Sequence, residues 1–218
     1  MVKRSSSAFV LSGVVLCALA LAGCSDSSEP GNETRGSAGL EKCGQFLGTE
    51  NVHGAVDSVD GGKATATARN SPARLAAILD REAEEWSVDD LLHNSYSACR
   101  IQLPAGDGGA FVIEATVQWS ALTVDSMSEP KYAKSWRQLN DHVFVELETG
   151  QPSMGLLVTC GVPGAAAGQE AGLPLQMSVT DPGLAVEQRQ ALLSAFARSL
   201  VDELSCIGEP VIPAQLLR

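Results

Sequence analysis

The side chains of this 218-residue chain with the most chemistry to offer are its six cysteines and three histidines. Leu21-Ala22-Gly23-Cys24 closes a short apolar run, and that order of residues reads as a lipobox. A peptidase must draw an extended backbone into a narrow site, and Ala22 and Gly23 are small enough to pass. Cys24 then supplies the one strong nucleophile in reach, a thiolate, for a thioether to lipid. Cleavage before Cys24 would leave a lipidated N-terminus. Two acyl chains there suffice for stable anchoring, where one is marginal. The alternative is an ordinary secreted protein whose cleavage site abuts a cysteine.

Cys17 would leave with the signal, and Cys43, Cys99, Cys160 and Cys206 remain. An even number of cysteines in an exported domain reads as a disulfide framework. Three pairings are possible, and Cys43–Cys99 with Cys160–Cys206 is favoured, one bridge in each half. Each closes a loop of about 50 residues, which stabilises by roughly 4 kcal/mol in the chain-entropy model. Zinc would need close cysteine pairs. None of the four lies within 40 residues of another, so no metal is expected.

His53, His93 and His142 stand 40 and 49 residues apart, without a second ligand at helical or hairpin spacing. Ser153, in Gly150-Gln151-Pro152-Ser153-Met154-Gly155, has the wrong glycine spacing for a nucleophile elbow and reads as part of a turn. Asp89-Asp90, Glu84-Glu85 and Asp202-Glu203 read as solvated carboxylates. No phosphate loop, dinucleotide fingerprint or calcium loop is present in the sequence. These readings imply no catalytic set and no cofactor.

The elements that position these residues begin with the export signal. Lys3 and Arg4 form a positive start, and residues 9–21 form an apolar run interrupted by Ser12 and Gly13. That run is shorter than the ~20 residues of a spanning helix. Lys3-Arg4 lacks the second arginine of a twin-arginine signal, so the export route stays open. Residues 25–39 contain no large apolar side chain and read as a disordered tether, roughly 20 Å from end to end. The formal charge is −11 for the whole chain. It becomes −13 without residues 1–23, which hold two basic and no acidic residues. Such a surface repels nucleic acid and anionic lipid headgroups.

Within residues 40–218, a short helical turn is expected at Leu40, Cys43, Phe46 and Leu47, and an edge strand at 63–69. Ser71-Pro72 is a cap followed by a residue pre-set for the first helical turn. Leu75, Ile78, Leu79, Ala83 and Trp86 then form one apolar stripe. Strands are expected at 97–103 and 110–119, joined by a turn at 104–109; in the second, Phe111, Ile113, Ala115, Val117 and Trp119 share one face and Val112, Glu114, Thr116 and Gln118 the other. Further strands are expected at 143–147 (Val143, Val145 and Leu147 inward), 155–160 and 174–180. Residues 125–141 are mixed, and 161–172 read as a loop. Asp181-Pro182-Gly183 announces a long helix with Val186, Leu193, Phe196, Ala197, Leu200, Val201 and Leu204 buried. One-sided alternation implies an antiparallel sheet with one face covered. The expected fold is a two-layer, disulfide-stabilised α+β domain at 40–218, with a mainly antiparallel sheet of about five strands packed by two amphipathic helices. Residues 1–23 are the signal, and 24–39 are the lipidated cysteine and tether.

The lipobox, the polar tether and Cys43-Gly44-Gln45-Phe46-Leu47 resemble the start of a family of small actinobacterial (Streptomyces-type) secreted lipoproteins with a four-cysteine α+β domain. The later order is similar too: Tyr96-Ser97-Ala98-Cys99-Arg100, then Val158-Thr159-Cys160, then a helix ending Val201-Asp202-Glu203-Leu204-Ser205-Cys206. The resemblance implies a disulfide-bonded domain on the cell envelope. It implies no activity and no catalytic residue.

The expectation is therefore a lipid-anchored protein on the extracytoplasmic face of the cell membrane, serving as a non-catalytic binding module for an envelope protein. A small-ligand carrier or sensor, with Trp119 or Trp136 lining a cavity, is the second reading. A hydrolase of envelope polymers is the third.

Overall fold

The computed structural model describes residues 37–59, 64–90, 93–104, 109–147 and 152–217. Leu21, Ala22, Gly23, Cys24 and the tether through residue 36 lie outside them, as do residues 105–108 of the expected turn. Helix α1 (Ser37–Leu47) carries Cys43, Phe46 and Leu47 on its buried face. It starts inside the segment read as tether: Ser37, Ala38 and Gly39 are helical, and Gly39 is buried. Small residues gave no apolar signal there. Gly48, at φ 80°, turns the chain into α2 (Thr49–Ser58). A left-handed backbone is open to glycine because it lacks a Cβ. The sequence reading missed α2, whose buried face is only Val52 and Ala55.

After β1 (Thr65–Thr67), Ser71 caps α3 (Pro72–Glu85) by accepting the Arg74 N–H at 3.3 Å. Then follow β2 (Ser95–Pro104), β3 (Ala110–Trp119), α4 (Val124–Met127), β4 (Trp136–Asn140), β5 (Val143–Glu146) and β6 (Ser153–Val158). The chain continues through α5 (Gln169–Gly172), β7 (Leu175–Thr180) and α6 (Val186–Leu204). The strands form one antiparallel sheet in the order β1-β2-β3-β7-β6-β5-β4.

The α+β class is as expected, but the described residues hold seven strands and six helices, not about five and two. β4 hid in the mixed segment because its residues are half-buried or exposed throughout, which leaves no period-two signal. In β5, Val143 and Val145 point inward, but Leu147 lies past the strand end. Phe144 is buried too, on the opposite face.

Helices α1, α3 and α6 cover one face of the sheet. α1 packs on β1 and β2, α3 on β3, and α6 on β6 and β7. Ile101, Ile113, Val117, Leu156, Met177 and Val179 of the sheet join Leu75, Leu79, Leu193, Phe196 and Leu200 in one core. Each such side chain contributes about 1.5–3 kcal/mol when fully buried. Phe46 and Phe196 meet edge-on, with ring centroids 6.1 Å apart, where α1 crosses α6.

The disulfides join Cys43 to Cys99 and Cys160 to Cys206. The first ties α1 to β2, where a bulge between Ser97 and Cys99 leaves both Ala98 and Cys99 buried. The second ties the end of β6 to the end of α6. Beyond it, residues 207–217 return as a strap over α6 and the edge strand β4. Its carbonyls accept bonds from Ser194 Oγ (Pro213 O, 2.6 Å), Arg137 Nη2 (Leu216 O, 2.8 Å) and Asn140 Nδ2 (Val211 O, 2.9 Å). Gln190 Oε1 accepts the Leu216 and Leu217 N–H groups, and Ile212 and Leu216 are buried. The strap explains why Gln190 and Ser194, polar residues of α6, are buried.

Candidate functional site

The face of the sheet turned away from α1, α3 and α6 divides into two parts. On β4, β5 and β6, Trp136, Phe144 and Leu157 are roofed by Leu122, Val124 and Met127 from the β3–β4 connection. Thr123 holds that roof by capping α4, its Oγ1 accepting the Ser126 N–H at 3.2 Å. On β2, β3 and β7 the same face carries paired polar side chains. Period-two alternation sends Ser97, Arg100, Glu114, Thr116, Gln118, Gln176 and Ser178 to this side.

Register then pairs them. Arg100 Nη1 donates to Glu114 Oε2 at 2.9 Å, and Ser97 Oγ donates to Glu114 Oε1 at 3.0 Å. Thr116 and Ser178 hydroxyls lie 2.8 Å apart, and Gln118 Nε2 donates to Gln176 Oε1 at 3.4 Å. The Arg100–Glu114 pair is part-exposed on both sides, so it is worth at most about 1 kcal/mol.

The polar terrace meets the roofed part at Gly155. A Cβ there would lie 2.6 Å from Glu146 Oε2 and 3.3 Å from the Trp136 ring. The Glu146 carboxylate and the indole thus rest on the glycine backbone. Burial raises the Glu146 pKa above the usual carboxylate range. At the other end, a cleft of about 430 Å³ opens between Arg69, Asn70, Ser95, Tyr96 and the Arg100–Glu114 pair. Donors and acceptors on a braced sheet suit hydrogen-bonded recognition of another surface.

Two further clefts lie elsewhere. The larger, about 610 Å³, runs between the last turns of α6 and the strap, lined by Arg198, Asp202, Cys206, Glu209 and Val211 among others. The smaller, about 220 Å³, holds Glu82, Trp86, Asp90 and His93. Beside it, Glu82 Oε1 accepts bonds from Tyr96 OH and from Asn94 Nδ2. Burial, then the bond to Glu82, pushes the Tyr96 phenol up to about 12.

The histidines are separated by the fold. His53 is exposed on α2, and His93 borders the 220 Å³ cleft. His142 turns from β4 into β5, with Nδ1 2.8 Å from Thr159 Oγ1. Among the described residues, no group of three or more His, Cys, Asp or Glu could hold a metal ion. Ser153 opens β6 opposite Thr180. Trp119 is a core residue, with Nε1 donating to Leu79 O at 2.9 Å. Trp136 packs under the roof instead of lining any of the three clefts.

The sequence reading placed Val112, Glu114, Thr116 and Gln118 on one face of β3. The pairing of that face with Gln176 and Ser178 escaped it, because β3 and β7 are far apart in the chain. Polar residues alternating in 174–180 were the available signal.

Comparison with protein families, with curated proteins and with solved structures returns no match to this chain. Among the described residues, no helix is long and apolar enough to cross a membrane.

Proposed function

We propose that this chain is a membrane-anchored extracytoplasmic lipoprotein whose domain is a non-catalytic binding module of the cell envelope. Leu21-Ala22-Gly23-Cys24 supports the anchor, and two disulfides suit an oxidising compartment outside the cytoplasm. The observation that carries the binding reading is the polar terrace of β2, β3 and β7, which no helix among the described residues covers. It is held rigid by the sheet and offers ordered donors and acceptors over three strands. The occupant is an envelope protein that matches it by hydrogen bonds. A photo-crosslinking residue placed at Thr116 or Gln176 in intact cells should capture one specific protein, and the same probe at His53 should not. Failure at both terrace positions, or equal capture at His53, would reject this surface. The anchor is tested separately by intact mass, which should equal residues 24–218 plus acyl chains, less four hydrogens.

A small-ligand carrier is the second reading. It is favoured by the 610 Å³ cleft beside α6, not by a cavity at Trp119 or Trp136. A non-covalent mass retained only under native conditions would support it.

A further inference from the structure

The two disulfides differ in their access to solvent. Cys43 and Cys99 are fully buried between α1 and β2. Cys160 is also fully buried, while its partner Cys206, itself 6 % exposed, forms part of the wall of the open 610 Å³ cleft. Cys206 also stands at the root of the strap. Ser205 before it, and Gly208 and Glu209 after it, all adopt left-handed backbone. Beyond the sulfur the strap is held by the Gly161–Ile207 bridge, by bonds with the side chains of Asn140, Arg137, Ser194 and Gln190, and by buried Ile212 and Leu216.

We propose that Cys160–Cys206 is a site of thiol–disulfide exchange, attacked at Cys206 Sγ through this cleft by a dithiol. The dithiol thiolate forms a mixed disulfide with Cys206, and Cys160 leaves as a thiolate that takes up a proton. The second thiol of the reagent then attacks the mixed disulfide and releases Cys206 as a thiol. The reagent ends as a disulfide, oxidised by two electrons, and the protein ends with two thiols. The strap then loses its covalent root, while Cys43–Cys99 keeps α1 on the sheet. The charged groups that line the cleft with Cys206 are Arg198, which favours an approaching thiolate, and Asp202 and Glu209, which oppose it. This proposal rests on burial and access alone, so it stands or falls apart from the terrace reading.

The test is timed reduction of the native mature protein by dithiothreitol, quenched with iodoacetamide and read cysteine by cysteine by peptide mass. Cys160 and Cys206 should be alkylated at least about tenfold faster than Cys43 and Cys99, because a fully buried bridge must wait for the structure to open. Thermolysin should then cut within residues 207–217 of the reduced form only. Reduction of both bridges at one rate, or of Cys43–Cys99 first, overturns the proposal. D202N/E209Q should be reduced about two- to fivefold faster as the repulsion on the thiolate falls. An unchanged rate overturns the route through the cleft. A thioredoxin-type protein run in parallel separates the sources of the dithiol. Faster reduction per thiol than dithiothreitol assigns the site to a protein reductant and slower reduction to a small one. Loss of selectivity with either reagent overturns the site.

Discussion

Asp181 and Arg189 bind the entry of α6 to the core, and breaking them one at a time gives a sharp prediction. Both are buried, Asp181 1 % exposed and Arg189 5 %. Asp181 Oδ1 accepts the N–H groups of Gly183 (3.1 Å) and Leu184 (2.5 Å). Its Oδ2 accepts Arg189 Nε at 2.5 Å, and Arg189 Nη2 also reaches Leu184 O at 3.4 Å. Asp181→Ala leaves a buried guanidinium without this counter-charge, at a cost of about 3–5 kcal/mol. It also strips two backbone N–H groups of their acceptor, about 1 kcal/mol each. Arg189→Met leaves the turn bonds in place and should cost about 3–4 kcal/mol, because only the carboxylate is orphaned. The double substitution should cost less than the sum of the two, since the second change removes an unpaired charge. Urea unfolding without reductant, followed by tryptophan fluorescence and extrapolated linearly, measures all four proteins. Single losses below about 1 kcal/mol, or strictly additive ones, would refute the view that this pair holds the helix entry.

Three more outcomes are expected. Trp119→Phe should cost about 1–3 kcal/mol in the same assay, from the lost bond to Leu79 O and the lost ring volume; no measurable change would contradict its placement in the core. Because the Tyr96 phenol is pushed from 10.0 up to about 12, its contribution to stability is whole below pH 10 and is lost as pH rises to about 12. Tyr96→Phe should flatten that alkaline slope, and equal slopes in the two proteins would argue against the part-buried bond to Glu82. Burial raises the Glu146 pKa, so the fold favours its protonated form, and that contribution declines as pH rises from 4.5 through the folded value. Glu146→Gln should therefore be more stable than the parent at neutral pH and lose the advantage in acid, as thermal melts across pH would reveal; the opposite order refutes it.

Where a segment's structure is set by its own neighbours, the sequence alone determined it. Ser71-Pro72 started α3 because a hydroxyl acceptor and a fixed φ act within one turn. The alternation in 110–119 named the buried face of β3 because strand pleating is local. Segments whose fate depends on distant partners were illegible. β4 is a strand because β5 pairs with it, although its burial shows no period. α6 buries Gln190 and Ser194 because residues 207–217 fold back and supply their bonds. β7 sits between β3 and β6, so the Thr116–Ser178 and Gln118–Gln176 pairs join residues about 60 positions apart. The difference in access between two chemically identical disulfides is likewise a tertiary property. Only the packed structure buries Cys43 and Cys99 and leaves Cys206 in the wall of a cleft.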